Sequence, residues 1–305
     1  LSPTPPNAMP SFSFRRSTVT RRPRPSLLSF IFLASVLSIV FVLPAAAQND
    51  APPPPDSTWT VFEPGVISTP EVTETSPSIT ADGQTMMFAR TDNWTDKVPH
   101  IATRRGDGWN VRKAPFADTL YNLAVAPDGQ SVFYKKDEME DGEEVSRAYR
   151  VQRTNDGWDA PQPLPTLFNT DAGYFCPMAD GTLYFFGRIG EKKGIYRTEP
   201  DGSGGYGPPQ WVSDAVSPEG TTSFDVLVHP DEDRLIITRA GLSDEEASAL
   251  GPRGFFYYER TDEGWREGKR LDLPYGWGAT VLPDGHLLFV DAGDLQTVPL
   301  SVLGI

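Results

Sequence analysis

Short runs of apolar residues, most of them alternating with polar ones, recur along the chain from residue 58 to its end. Gly, Asp, Asn and Pro separate the runs at a spacing typical of β-strands. The stretch 123–164 contains four such runs, at 123–126, at 131–134, at 148–153 and from Trp158 onward. The fourth is rich in proline, which donates no ladder hydrogen bond and therefore favours an outer edge. Four strands with the proline-rich one outermost indicate a propeller blade.

A tryptophan and a turn aspartate mark each repeat of this pattern. Each tryptophan precedes its aspartate by 19 to 23 residues, and the aspartates follow one another at intervals of 46, 52, 51 and 53 residues. The pairs are Trp59 and Asp82, Trp109 and Asp128, Trp158 and Asp180, Trp211 and Asp231, and Trp265 and Asp284. A repeat near 50 residues is typical of stacked supersecondary units. Five tryptophans and five turns predict five blades.

The two ends of the repeat region predict how the ring closes. After Asp284 the sequence leaves room for only two further strands, whereas Trp59 begins a strand that has no blade of its own. A first strand that completes the last blade would remove the open edges at which sheets aggregate. We therefore predict an all-β fold, a five-bladed β-propeller of four-stranded antiparallel blades whose ring is closed by the N-terminal strand joining the last blade.

The segments 157–161, 168–170 and 178–185 carry a family resemblance. They read Gly-Trp-Asp-Ala-Pro, Phe-Asn-Thr and Met-Ala-Asp-Gly-Thr-Leu-Tyr-Phe. This run resembles the WD-like β-propeller repeat of the Pro-Asp type, found in Tol-system (TolB-like) propellers and other periplasmic proteins. The resemblance covers residues 58–303 and implies the fold. Its motif residues are structural, so it implies a location at the cell envelope without naming a ligand.

The first 57 residues differ from the repeats. Five arginines and no acidic residue precede an apolar run at 27–43, and a small-residue site, Ala45, Ala46 and Ala47, follows it. That order predicts a signal peptide over residues 1–47 with cleavage after Ala47, and a retained membrane anchor is the alternative. Residues 48–57 form a Pro-rich linker, and the propeller follows at 58–305. We expect a periplasmic or secreted protein with no membrane span after cleavage.

Charge and cysteine content narrow the partners. The whole chain has a net charge of −14, and loss of the five arginines in residues 1–47 changes it to −19. So acidic a domain is not expected to bind nucleic acid or anionic lipid through its overall field. Cys176 is the only cysteine, so no internal disulfide can form. A domain of this length buries an adequate core alone, and we expect a monomer.

Counting from the turn aspartates locates residues at the face that carries the loops between blades. Six residues before each aspartate the inner strand begins, and eight residues after it the second strand ends, where four of five blades carry a long cation. The candidate binding residues are the counted Arg90, Asn122, Lys136, Tyr174, Arg188, Asp225 and Arg239, together with Glu74 from the same loops and Trp277, the neighbour of the counted Gly278. We interpret them as acidic and aromatic groups inside a cationic ring that could bind carboxylates, sugars or peptides. The alternative is that each cation pairs within its own blade.

These residues favour a non-enzymatic binding or scaffold module at the cell envelope, with a protein or a cell-wall glycan as partner. The alternative is a glycan-active enzyme, which would need two carboxylates across the scissile bond, drawn from Glu74, Asp171 and Asp225. A purely structural envelope component is a third hypothesis. His100, His229 and His286 lie at unrelated blade positions, so we predict no metal site, no catalytic residues and no cofactor.

Overall fold

The computed structural model describes residues 59–168, 171–240, 253–266 and 268–305. The predicted signal peptide, 1–47, the predicted linker, 48–57, and residue 58 lie outside these ranges, and the domain boundaries stay predictions. In the described ranges the protein consists of antiparallel strands grouped into five sheets, which we call blades I to V in chain order. The all-β fold and the blade count predicted from the sequence are confirmed.

The strands of the first three blades follow one another without exchange. Blade I contains β2 (Thr73–Ile79), β3 (Thr85–Thr91), β4 (Val98–Arg105) and β5 (Gly108–Lys113). Blade II contains β6 (Tyr121–Val125), β7 (Ser131–Glu140) and β8 (Glu143–Thr154), with β9 (Gly157–Trp158) and β10 (Gln162–Pro163) both paired to β8. Blade III contains β11 (Gly173–Pro177), β12 (Leu183–Ile189), β13 (Lys192–Thr198) and β14 (Gln210–Trp211).

The last two blades differ in their outer strands. Blade IV contains β15 (Thr222–Val228), β16 (Arg234–Ala240) and β17 (Gly254–Thr261), with β18 (Gly264–Trp265) and β19 (Lys269–Arg270) both paired to β17. Blade V contains β20 (Trp277–Val281), β21 (His286–Asp291) and β22 (Asp294–Pro299), and its outer strand is β1 (Thr60–Val61). A short helix, Leu300–Leu303, follows β22, and one 3-10 turn, Thr166–Phe168, precedes β11.

The ring closes as the sequence predicts. Strand β1 pairs antiparallel with β22, with Thr60 opposite Thr297 and Val61 opposite Gln296. Beyond the strand, the Phe62 amide donates to the Leu295 carbonyl at 2.7 Å. The Ser68 hydroxyl accepts from the Leu295 amide at 3.2 Å. The closing strand therefore joins the two ends of the described domain and leaves no open gap in the ring.

The core lies between the blades. Each neighbouring pair of blades encloses one cluster of buried apolar side chains, five in the described part of the chain. Each repeat tryptophan packs, partly buried, against the cluster between its own blade and the preceding one; these are Trp59, Trp109, Trp158, Trp211 and Trp265. Burial of large aromatic side chains dominates such packing energies. The repeat tryptophans therefore hold the blades together.

The turn aspartates act locally. Asp82 Oδ1 accepts from the Gln84 amide at 2.9 Å, and Asp128 and Asp180 accept in the same way from the amides two residues on. Such bonds stabilise the tight turn between the first two strands of a blade. Hydrogen bonds from Thr80 and Gln84 lower the pKa of Asp82, so the turn stabilises the ionised form of this side chain. The aspartates belong to the face opposite the interblade loops, which we call the turn face.

Candidate functional site

The five inner strands surround a central channel of about 520 Å³. Its walls are mainly apolar, and polar or aromatic groups collect where the inner strands begin, at the face of the interblade loops, which we call the loop face. The residues lining this mouth are Ser76, Asn122, Tyr174, Asp225, Trp277 and Gly278. A concave space with apolar walls and a few polar groups is the usual form of a ligand site.

A shared backbone distortion shapes the mouth. Ser76, Asn122, Tyr174 and Asp225 have φ between 52° and 56°, and Gly278 has φ 67°. Each lies where the pairing between the first two strands of its blade shifts register. This left-handed conformation costs roughly 1–2 kcal/mol for a residue with a Cβ. Four side chains are thus held at the channel in a conformation that only the glycine of blade V adopts freely.

Asp225 is the charged group of the mouth. Its carboxylate accepts hydrogen bonds from the Gly278 and Ala279 amides of blade V, and the Thr238 hydroxyl lies 3.4 Å from Oδ2. Burial raises the pKa of Asp225 to about 6, although these hydrogen bonds lower it. Among the residues that the structure describes, no Lys, Arg or His forms an ion pair with it. Asp225 is therefore a carboxylate deep in the protein, partly open to the channel, without a countercharge.

Aromatic rings surround this carboxylate. Tyr174 packs on Phe224 with ring centroids 5.0 Å apart, and burial and then the Asp225 charge raise the pKa of its phenol. Burial raises the pKa of Tyr275, which is 39% exposed; the Arg253 charge lowers it and the Asp225 charge raises it further. Tyr174 lines the channel together with Asp225, and Tyr275 lies in the loop that leads into β20.

A second aromatic pair lies across the mouth. Trp277 donates its indole N–H to Thr75 Oγ1 at 3.3 Å and meets Trp94 edge-on, with centroids 5.7 Å apart. Trp94 is 50% exposed and is fixed by a bond from its amide to Thr91 Oγ1 at 2.9 Å. The candidate set derived from the sequence omits Trp94. The only signal was that Trp94, like Trp277, falls outside the repeat register.

Glu74 and Arg90 do not line the channel. They form an ion pair between β2 and β3, with the Glu74 side chain fully buried. Arg90 Nε lies 3.1 Å from Glu74 Oε1, and Arg90 Nη2 donates to the Val66 and Ile67 carbonyls at 2.9 Å. Thr69 donates its amide and hydroxyl to the same carboxylate. Burial raises the pKa of Glu74 to about 7, although the Thr69 bonds and the Arg90 charge lower it. The pair links blade I to the segment that precedes it.

The other three cations of the candidate set are also engaged within their blades. Arg188 Nε lies 2.8 Å from Asp171 Oδ2, and Lys136 Nζ lies 3.8 Å from Glu138 Oε1. Arg239 Nη2 contacts the Tyr258 hydroxyl, and its guanidinium lies 4.2 Å from the Phe256 ring centroid. None of the four cations, Arg90 included, is among the described residues that line the channel.

The structure therefore divides the candidate set in two. Asn122, Tyr174, Asp225 and Trp277 share the mouth, whereas Glu74 and the four cations lie within their blades. The expected cationic ring is not formed around the channel, because each cation finds a partner at its own strand end. In the described part of the chain, Asp225 is the one Asp or Glu side chain that lines the channel.

The rest of the loop face carries acidic, basic and exposed apolar side chains, the basic ones including Lys136, Arg188 and Lys192. Strands β7 and β8 span 10 and 12 residues, and the hairpin they form carries exposed acids at its tip: Asp141, Glu143 and Glu144. Large apolar side chains are exposed on the same face, among them Met139 at 71% and Ile189 at 41%. Met139 and Ile189 belong to the hairpins of different blades, and single exposed apolar side chains are common on protein surfaces.

The turn face of blade IV brings together His229, Asp231 and Asp233. One potential ligand atom from each lies within 4.8 Å of the others, a grouping that the sequence analysis did not identify. Arg234 already contacts this group, with Nη2 2.9 Å from His229 Nε2 and Nε 3.1 Å from Asp233 Oδ1. A guanidinium in this position opposes a second cation. We assign no metal to this cluster.

No family model matches the sequence, and a comparison with well-characterised proteins also finds no match. Among solved structures, a candidate TolB from Agrobacterium tumefaciens is 14% identical, with 72% of this chain and 70% of that one covered and a TM-score of 0.46. A gluconolactonase from Xanthomonas campestris is 13% identical, over 75% of this chain and 86% of that one, at a TM-score of 0.46. A GH43_12 protein from the capybara gut metagenome is 11% identical. The match covers 83% of this chain and 55% of that one, with a TM-score of 0.49.

These likenesses include enzymes and a TolB-like protein, and at such identities and TM-scores they carry no argument about function. The structure contributes one observation on location: in the described ranges, no helix combines the length and apolar character needed to cross a membrane. Neither the predicted signal peptide nor the predicted partners are tested by it.

Proposed function

We propose that the protein is an exported, TolB-like propeller that acts as a non-enzymatic binding module at the cell envelope, engaging a protein or a glycan at the loop face. The observation that carries this proposal is the channel mouth, where four non-glycine residues are held in a strained conformation. One of the four is Asp225, whose carboxylate has no cation as a partner among the described residues. Strain of this kind persists at functional sites because the surrounding fold over-determines it.

Site-specific photo-crosslinking tests which face is used. A photoreactive amino acid would replace Tyr275 on the loop face or, as the matched control, Gln130 on the exposed turn face. Both proteins would be crosslinked in envelope extract, with protease or glycosidase digestion of the adducts to identify their class. We expect adducts from position 275 and few from 130. Equal labelling at both positions, or none from 275, would contradict the proposal.

The alternative function is a glycan-active enzyme, and one observation favours it. A carboxyl group whose pKa is raised to about 6 could act as a general acid. The mechanism needs a second carboxylate, and Glu74 is held by Arg90 and Thr69 within blade I. Release of reducing ends from cell-wall glycan by the wild type but not by Asp225→Asn would establish the enzyme. The same absence of release from both proteins would leave the binding module.

A further inference from the structure

We propose that the mouth of the channel binds a cationic side chain, lysine or arginine, of a protein partner, with the Asp225 carboxylate as its counterion. This inference rests on the proposed function, because it gives the chemistry of the ligand engaged at the loop face. From the sequence we predicted a cationic ring that would bind an anion. The site proposed here is the opposite, an anionic one that binds a cation.

The first step of the argument is the missing countercharge. Glu74 is paired with Arg90, and Asp171 is paired with Arg188, so two other carboxylates near the inner strands have a cation within 3.1 Å. Asp225 is bonded by amide and hydroxyl groups alone in the described residues. A carboxylate removed from water is costly unless an opposite charge compensates it. A ligand ammonium or guanidinium would supply that charge.

The second step concerns the rings around the carboxylate. Tyr174 and Trp277 line the same channel mouth as Asp225, and Tyr174 packs on Phe224, the residue before Asp225. Tyr275 lies partly exposed in the loop before β20. Aromatic faces attract cations, most strongly where water is excluded. One such contact is present at the rim, where the Arg253 guanidinium lies 5.3 Å from the Tyr275 ring centroid. The mouth thus combines a carboxylate with rings suited to a cation.

The third step identifies the ligand as part of a protein. The exposed acids at the tip of the β7–β8 hairpin, Asp141, Glu143 and Glu144, form no ion pair with described residues. Met139 and Ile189 expose apolar surface on the same face. Acidic groups steer a basic partner, and exposed apolar side chains add buried area on contact. A neutral glycan would use neither feature.

Proton binding to Asp225 gives the interaction a pH dependence. The groups that face this carboxylate are the Tyr174 phenol, the Cys176 thiol, the Tyr275 phenol, the Thr238 hydroxyl and two amides of blade V. Burial raises the thiol pKa to about 11 and the phenol pKa values above their usual range, so these groups stay neutral near pH 7. Asp225, with a pKa of about 6, is the one that changes charge in that range. Affinity for a cation should fall as the pH is lowered through 6.

Calorimetric titration of the folded domain at pH 8 tests the inference. The probe is the peptide acetyl-Gly-Leu-Lys-Leu-Gly-amide, and its neutral match carries Nε-acetyllysine in place of lysine. We expect the lysine peptide to bind at least about tenfold more tightly than its match, and Asp225→Asn to weaken it by a similar factor. The control Asp171→Asn removes an exposed carboxylate and should change affinity less than about twofold.

Each outcome has a defined meaning. Equal affinity of the lysine peptide for wild type and Asp225→Asn, or no binding to the wild type, would overturn the inference. Binding of a glucosamine trimer in place of the peptide would assign the site to an amino sugar and overturn the protein partner. Crosslinking from Tyr275 that persists in Asp225→Asn would preserve the proposed function while this inference fails. Thermal unfolding of each variant checks that it is folded.

Discussion

Blades I and IV place their charged groups at different positions of the same strand pair. In blade I, Glu74 lies opposite Arg90 and forms a buried ion pair, and the distorted residue two positions on is the uncharged Ser76. In blade IV, Ser223 takes the position opposite the cation Arg239, and the acid is Asp225, at the distorted position. Moving the acid two residues along the inner strand therefore replaces an ion pair with a carboxylate at the channel.

The consequence for each cation is opposite. Arg90 has a carboxylate and two carbonyls as partners, whereas Arg239 Nε is buried without a hydrogen bond, as is Ser223 Oγ opposite it. A buried polar group without a partner costs stability. Blade I therefore uses its charges to hold the fold, and blade IV leaves one charge available at the mouth. The repeat therefore determines the backbone conformation at each position, whereas the side chain there, and its interactions, differ between blades.

The largest expected effect separates the two cations. Arg90→Leu should lower the free energy of unfolding by about 3 kcal/mol at pH 8, because Glu74 would remain buried without its cation. Arg239→Leu, the same exchange in blade IV, should cost less than about 1 kcal/mol, because the partner that the described residues give this guanidinium is the Tyr258 hydroxyl and not a carboxylate. Urea unfolding, which does not screen charge, measures both. Similar losses in the two variants would show that the blades do not differ in this way.

The next effect is the loss of folding stability caused by the buried, ionised Asp225 carboxylate. The pKa of Asp225 is raised to about 6, so the folded state binds this proton more tightly than the unfolded state does. Its contribution to stability is full below about pH 4 and is lost as the pH rises through 6. Asp225→Asn should therefore be about 1 kcal/mol more stable than wild type at pH 8, discounted for partial exposure to the channel, and equal to it at pH 4.

Urea midpoints at the two pH values provide the measurement. The carboxylate would have a structural role, like that of Glu74, if Asp225→Asn proved less stable than wild type at pH 8. In that case the amides of Gly278 and Ala279 would be holding the ionised form as part of the fold.

A smaller effect is expected at the distorted position itself. Ser76→Gly relieves the strain of φ 52° and adds chain entropy to the unfolded state, for a net gain of about 0.5 kcal/mol. The reverse exchange in blade V, Gly278→Ser, should lose stability, because its Cβ would lie 2.8 Å from Pro77 Cδ. Thermal midpoints of the two variants should move in opposite directions. Movement in the same direction would contradict the equivalence of these positions.

The smallest effect is expected in blade III. Asp171 and Arg188 form an ion pair whose side chains are 50% and 47% exposed. Asp171→Asn should change the free energy of unfolding by less than about 0.5 kcal/mol, because water and salt screen such pairs. A loss close to that of Arg90→Leu would show that exposure does not decide the difference between the pairs.

The fold was predictable because its signals repeat. Trp109 and Asp82 mark blade I as Trp158 and Asp128 mark blade II. Each tryptophan packs between blades, and the aspartates accept from the amide two residues on in four blades, with Asp231 of blade IV the exception. Even ring closure followed from an offset, since Trp59 stood at the correct distance from the first turn without a blade of its own. Local propensity and long-range packing agree at these positions.

The site was only half predictable. Counting from the turns correctly located Asn122, Tyr174 and Asp225 at the channel, because the count follows the backbone. It could not show where Arg188 or Arg239 would direct a long side chain, which depends on whether an acid or a phenol lies within reach. Trp94 was missed because its contact with Trp277 joins two blades and leaves no local pattern.

The closing strand sets the order of events when this chain folds. Ser68 and Leu295, which meet at the closure, are 227 residues apart in the sequence, whereas contacts within a blade join near neighbours. Contacts between distant segments form late. The blades can therefore assemble one after another as the chain emerges, but the ring, and with it a channel having five walls, exists only after residues 294–299 have arrived. The binding that we propose at the mouth therefore requires the closed ring, which we expect to form late in folding.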